Sequence, residues 1–135
     1  MIRNFLTGTF VLTLLFSCSN GPGPGGKASI TGKVKMVNRW DANCLEQAQP
    51  FDTYYAPDVD VYVIFGDDPS YGDRVKTGPD GTYWFQYLRP GKYTVYAYSK
   101  DCSLASSPGV IAMKKEVEIQ GKKDNVSVAD LILEK

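Results

Sequence analysis

From Ile30 onward the apolar pattern of this chain is that of strands, and its clearest runs repeat at every second position. Val59, Val61, Val63 and Phe65 alternate with Asp60, Tyr62 and Ile64, and Tyr93, Val95 and Ala97 alternate with Thr94, Tyr96 and Tyr98. Successive side chains of a strand point to opposite faces, so each run offers one apolar face to a core. Turn chemistry separates the runs at Gly66-Asp67-Asp68-Pro69, Gly78-Pro79-Asp80-Gly81, Arg89-Pro90-Gly91 and Gly121-Lys122-Lys123-Asp124. These clusters combine residues that tolerate positive φ with prolines that cannot continue a ladder. The pattern predicts seven strands, near residues 29–38, 59–66, 72–77, 81–88, 91–99, 110–120 and 124–134, and no helix. Seven short strands with frequent turns predict an all-β, Greek-key β-sandwich.

Ahead of the strands, Arg3 precedes an apolar stretch from Phe5 to Phe16, interrupted only by Thr7, Gly8, Thr9 and Thr13. That is the layout of a signal peptide, and it falls short of the roughly 20 apolar residues a spanning helix needs. The stretch closes on Leu15-Phe16-Ser17-Cys18 and resembles bacterial lipoprotein signals, with a large apolar residue three before the cysteine and a small one just before it. The resemblance implies cleavage before Cys18 and acylation of Cys18 as the mature amino terminus. Two or three acyl chains supply the membrane affinity that one chain cannot. The expected address is a bacterial cell envelope, at the outer membrane. The expected organisation is a signal peptide over 1–17, a lipidated cysteine and Gly/Pro-rich tether over 18–27, and one β-sandwich domain over 28–135. Ser19 to Gly26 is almost entirely Gly, Pro, Ser and Asn, a composition that buries no apolar surface and reads as a flexible spacer.

Composition then removes several kinds of chemistry. The chain has 15 basic and 15 acidic residues, so no broad basic face advertises nucleic acid. Lys114, Lys115, Lys122 and Lys123 sit beside Glu116, Glu118 and Asp124 and read as a solvated face. It has no histidine, which takes away the usual general base, the usual zinc ligand and the Ser-His or Cys-His nucleophile pair. Asp58, Asp60, Asp67, Asp68 and Asp73 match the spacing of no calcium loop. The reading is therefore non-enzymatic, with no metal and no cofactor. Once Cys18 is assigned to lipid, Cys44 and Cys102 remain, and in an oxidising compartment an even pair is most simply a disulfide. Closing a loop of roughly 60 residues stabilises a fold by about 4 kcal/mol on the chain-entropy argument. In a sandwich of successive antiparallel strands, the connections holding these two cysteines lie at the same end, which makes the bridge geometrically reasonable.

The middle of the domain carries a recognisable pattern. Thr77-Gly78-Pro79-Asp80-Gly81-Thr82-Tyr83-Trp84-Phe85, followed by Leu88-Arg89-Pro90-Gly91-Lys92-Tyr93-Thr94-Val95, resembles the signature of carboxypeptidase regulatory-like domains, the transthyretin-like (prealbumin-like) β-sandwiches. Ile30-Thr31-Gly32-Lys33-Val34 fits their opening strand, and Asp58 to Val63 fits the second strand loosely. Asp80-Gly81 and Pro90-Gly91 supply the reversals, and Tyr83, Phe85, Leu88, Tyr93 and Val95 are expected to face inward. Some relatives hydrolyse a purine-derived ring with histidines that this chain lacks. Others cross-link a lysine to an asparagine with help from an acid. Lys33 or Lys35 and Asn125 could supply the pair, but Ala97 stands where the acid belongs.

What remains for function is aromatic. The stretch from Asn38 to Pro57 reads as a long loop with Trp40, Phe51, Tyr54 and Tyr55 around Cys44, and long aromatic loops are either functional or packed onto their own domain. Trp84, Tyr96 and Tyr98 are expected to face outward together on one sheet, opposite the inward set. Flat amphipathic rings stack on sugars and recur at protein interfaces. The candidate binding surface is thus Trp40, Phe51, Tyr54, Tyr55, Trp84, Tyr96 and Tyr98. The expected role is an accessory binding module of the envelope for glycans or an envelope protein. The alternative is a structural subunit that packs through a strand edge or its aromatic face.

Overall fold

The structure, a computed structural model, describes residues 21–39, 50–101 and 109–135; Cys18, Trp40, Cys44 and Cys102 lie outside the described residues. The described residues form nine strands: β1 (Pro24–Arg39), β2 (Pro50–Tyr55), β3 (Asp60–Phe65), β4 (Asp73–Lys76), β5 (Thr82–Leu88), β6 (Gly91–Lys100), β7 (Val110–Ile119), β8 (Asn125–Ser127) and β9 (Leu131–Glu134). They make two sheets, one of five strands around β1 and one of four in the order β4-β3-β6-β7.

β1 is the spine of the first sheet. The N–H and C=O of one strand residue point to the same edge. The Val34 N–H donates to the Gly81 carbonyl at 2.9 Å, and the Val34 carbonyl accepts from the Ala56 N–H at 2.9 Å. Hence β5 and β2 lie end to end along one edge of β1. On the other edge, the Ser29 N–H donates to the Asp124 carbonyl and the Val128 N–H to the Thr31 carbonyl, so β8 and β9 run parallel to β1 one after the other. Gly81 sits at the β5–β2 seam with φ +76°, and a Cβ there would come within 2.9 Å of the Val34 carbonyl. Only glycine suits that close approach.

The core lies between the sheets. Ala28, Ile30 and Val34 of β1, Leu131 and Leu133 of β9, and Tyr83, Phe85 and Leu88 of β5 meet Val61 and Val63 of β3, Tyr93, Val95 and Ala97 of β6, and Ile119 of β7. All are buried, and the inward set expected from the alternation is among them. Removing such side chains from water, at about 25 cal/mol per Å² of apolar surface, is the main force holding the sheets together.

Three features differ from the sequence reading, and the first two raise the strand count among the described residues from seven to nine. The stretch 38–57, expected as loop, contributes β2, which pairs with the second half of β1 from Lys35↔Tyr55 to Arg39↔Pro50. The last strand also divides. Asn125 stands opposite Ser29 and Leu131 opposite Val34, six steps against five, so one extra residue breaks the ladder at Val128-Ala129-Asp130. Finally, the fold takes up part of the expected tether. Pro22 covers Gly66 and Gly91, where a Cβ would approach the proline ring to 3.0 and 2.8 Å, and the Gly23 N–H donates to the Tyr93 hydroxyl at 2.9 Å. The glycines that looked merely flexible let the backbone approach the rim closely, and Pro22 gives it an apolar cover.

Candidate functional site

β3 and β6 are neighbours with Val63 opposite Val95 and Tyr62 opposite Tyr96. Because the valines point into the core, the tyrosines point out. Tyr98 follows two positions along β6, on the same face. Tyr71 joins from the turn before β4, where the Gly72 N–H donates to the Val63 carbonyl at 2.8 Å and holds the turn against β3. The result is a continuous tyrosine face. Tyr62 and Tyr96 stack with ring centroids 5.1 Å apart and planes 16° apart. Tyr71 meets Tyr62 edge-on at 5.0 Å, and Tyr98 meets both Tyr62 and Tyr96 edge-on at 5.7 Å. Such offset and edge-to-face pairs add about 0.5–1.5 kcal/mol each beyond their burial.

Exposure divides the four into two roles. Tyr96 is only 8% exposed although it points outward, whereas Tyr71 and Tyr98 are 49% and 53% exposed. The stacked pair is the floor and the two edge-on rings stand above it. The Tyr96 phenol is held above its ordinary pKa by burial first, then by the charge and hydrogen bond of Tyr98 and by Tyr62 and Tyr71. Tyr96 therefore stays neutral at physiological pH and keeps its hydroxyl proton. Charge gathers at the rim. Arg74 Nε lies 3.7 Å from Asp60 and Lys76 Nζ 3.0 Å from Asp58 on the β4 side, and Lys114 stands opposite Tyr96 on β7. Lys76 is raised above its usual pKa by its hydrogen bond to Asp58 and the charges of Asp58 and Asp60. A floor with polar tips and a charged rim can stack an amphipathic ring and hydrogen-bond its hydroxyls.

The expected surface is split by the fold. β5 belongs to the first sheet and β6 to the second, so Trp84 and the pair Tyr96 and Tyr98 face opposite sides of the sandwich; they do not share one sheet. The Arg89-Pro90 reversal carries the chain between the sheets, where the two strands were expected to share one. Trp84 is 55% exposed opposite Thr31 of β1. Tyr54 stands opposite Met36 and packs against the core, so it is a packing residue. Tyr55 lies on the outer face of the first sheet, its hydroxyl 3.2 Å from Asp130 and its ring 4.6 Å beneath Lys33 Nζ. Phe51 enters as a backbone position of β2, and Trp40 is outside the described residues.

Tyr62 and Tyr71 were missed. Tyr62 had a signal, since it alternates with Val61 and Val63 in the run that defined the strand. Tyr71 had none, because its place depends on how the turn folds back onto β3. Among the described residues no group of three His, Cys, Asp or Glu side chains is arranged to hold a metal ion.

No family model matches this chain, and no curated protein does. Among solved structures it is similar to the crystal structure of a "putative carbohydrate binding protein" from Pseudomonas aeruginosa. The identity is 15%, the TM-score 0.48, and the alignment covers 84% of this chain and 91% of that one. A likeness at that level defines neither a family nor a ligand.

Proposed function

We propose that this chain is a non-enzymatic, lipid-anchored protein of the bacterial cell envelope, at the outer membrane, whose sandwich binds glycans on the face of Tyr62, Tyr71, Tyr96 and Tyr98. The observation that carries the reading is two exposed rings braced on a stacked pair. Sugars present apolar C–H faces edged with hydroxyls, and phenols match both. Rings already fixed by their neighbours lose little freedom on binding. The address rests on the lipobox ending in Cys18. A glycan array probed with residues 19–135, beside the Tyr71→Ala/Tyr98→Ala variant, tests the function. Hits lost in the variant support it, and an empty array contradicts it.

The sandwich is read as a carboxypeptidase regulatory-like, transthyretin-like Greek key on its Thr77 to Phe85 and Leu88 to Val95 motif. A Cys44–Cys102 disulfide belongs to the same proposal. Support comes from the strand ends that lead into the two segments: the Glu134 N–H donates to Ser99 Oγ at 2.8 Å and the Lys135 N–H to the Val37 carbonyl, so β1 and β6 finish at one end. An equal melting temperature with and without reductant would contradict the bridge.

One observation favours the structural-subunit reading. β7 is a ten-residue strand at the edge of its sheet, with Val110, Ile111 and Met113 exposed. Lys114 and Lys115 in its middle are the usual protection of such an edge against pairing, which leaves the glycan reading ahead. Stoichiometric co-purification with an envelope protein, lost in Lys115→Pro, would reverse that order.

A further inference from the structure

The rim where the chain enters the domain gathers cations that no ion pair among the described residues answers. β1 and β5 pair regularly from Lys33↔Thr82 to Ile30↔Phe85, after which both Ala28 and Pro24 stand opposite Leu88. Gly25, Gly26 and Lys27 therefore bulge out of the ladder, as bulges at a sheet rim commonly do to re-aim a side chain. Together with Arg89, Pro90, Lys122 and Lys123 they enclose a surface cavity of about 520 Å³. Its described lining holds four cations and no carboxylate. The neighbouring Asp124 is engaged in its own turn, accepting the Gly121 N–H at 2.7 Å. The acids of this end, Asp67, Glu116 and Glu118, line a separate hollow on the second sheet.

Two further observations single out this rim. The guanidinium of Arg89 lies over Gly23, where a Cβ would come within 3.0 Å of Nη2, and its Nε is buried with no hydrogen-bond partner among the described residues. A planar, weakly hydrated cation held this way suits a phosphate oxygen. Two residues earlier, Tyr87 has φ 59° and is 70% exposed. Positive φ is costly for a bulky residue, and here it holds an amphipathic ring out at the rim.

The position of the rim relative to the anchor follows from chain length. Pro22 is packed onto the domain and Cys18 is four residues before it, so an extended chain spans at most about 14 Å between them. A lipid on Cys18 would keep this rim close to the membrane surface, where each Lys or Arg strengthens attraction to anionic headgroups about fivefold.

We propose that Lys27, Arg89, Lys122 and Lys123 form a docking surface for the anionic phosphate headgroups of the membrane that holds the protein. Acyl chain and basic rim are then two cooperating signals. Docking fixes the tilt of the domain. Tyr96 and Tyr98, five and seven residues along β6 from Gly91, stand about 17 and 23 Å from the rim at ~3.3 Å per residue. The orientation rests on the acylation of Cys18 proposed above, whereas the headgroup chemistry can be tested without it.

Every core residue lies between Ala28 and Leu133 and Pro22 closes the rim, so residues 19–135 carry the whole described fold without the anchor. This chain is sedimented with vesicles of pure phosphatidylcholine and of phosphatidylcholine with phosphatidylglycerol at seven to three. The expected result is binding at least tenfold stronger to the anionic vesicles, weakened about fivefold for each charge removed in Lys122→Gln and Lys122→Gln/Lys123→Gln. Lys114→Gln/Lys115→Gln, which removes equal charge from β7, leaves it unchanged. Equal binding to both vesicles, or an equal fall in both double variants, would overturn the proposal. So would suppression by inorganic phosphate beyond that of sodium chloride at equal ionic strength, which would assign the cavity to a soluble phosphate. Acyl labelling of the full chain, against Cys18→Ala, tests the anchor separately: absence of label defeats the anchoring reading and leaves the vesicle result standing.

Discussion

The two outer faces of the sandwich come from the same strand alternation and differ in how their exposed rings are arranged. On the first sheet the outward strand positions hold Lys33, Tyr55, Trp84 and Ile132, with Asp80 and Asp130 added from the flanking turns. Lys33 is 3.6 Å from Asp80, and Asp80 is lowered below its usual pKa chiefly by hydrogen bonds from Thr82. Exposed pairs of this kind add little stability and keep a surface solvated. On the second sheet the outward positions of β3 and β6 hold tyrosines that touch one another. Solvation does not call for such a cluster, and half-exposed rings braced on a stacked pair suit a binding patch. The first face thus carries separate exposed rings among its charges, and the second holds the clustered tyrosines of the proposed site.

The same contrast continues inside, where each sheet buries one tyrosine of the core. Tyr93 of the second sheet is satisfied: its hydroxyl donates to the Arg89 carbonyl and accepts the Gly23 N–H. Tyr83 of the first sheet runs across Gly32, which makes room for it, and its hydroxyl has no partner among the described residues.

The largest expected effect is on the floor of the tyrosine face. Tyr96→Ala removes a nearly buried ring and its contacts, and is expected to cost about 2–4 kcal/mol in urea unfolding; Trp84→Ala, on the other face, is expected to cost less than about 1 kcal/mol. Equal costs would erase the distinction between the faces. Next, Tyr93→Phe is expected to cost about 1–2 kcal/mol because it leaves the Gly23 N–H unmatched, while Tyr83→Phe is expected to be neutral or slightly stabilising. The reverse order would show that the Tyr83 hydroxyl is satisfied in solution.

Alkaline titration sharpens that pair. Burial, with a smaller contribution from Asp130, pushes Tyr83 from 10.0 up to about 12. A folded-state pKa above the unfolded one means stability that is fully present below about pH 10 and lost as pH rises through 12. Unfolding measured from pH 10 to 12 is therefore expected to fall less steeply in Tyr83→Phe than in the parent, and parallel slopes would contradict the assignment. The smallest effect is Lys33→Gln, below about 0.5 kcal/mol in the same assay.

Much of the fold was legible in the sequence. The period-two runs at Val59–Phe65 and Tyr93–Ala97 give β3 and β6 with the correct inward faces, because an alternating run has only one way to bury itself. β2 was not legible: Pro50 to Tyr55 carries no clean alternation and is a strand only because β1 is long enough to pair with it. The division of β8 from β9 was hidden for a related reason, since a one-residue mismatch with β1 leaves no mark on composition. At the site, Tyr96 and Tyr98 followed from parity. Joining them to Trp84 assumed that consecutive strands share a sheet, and the Arg89-Pro90 reversal breaks that assumption. Tyr62 was present in the same pattern, and what it lacked was knowledge that β3 neighbours β6.

The central claim is that the second sheet's outer face, and not the first, holds the ligand. The measurement is calorimetric titration of the strongest array glycan into residues 19–135, into Tyr71→Ala/Tyr98→Ala and into Trp84→Ala. The prediction is an affinity loss of at least tenfold, about 1.4 kcal/mol, in the tyrosine variant and an unchanged affinity in the tryptophan variant. Binding that survives loss of the two tyrosines, or fails on loss of Trp84, would contradict it.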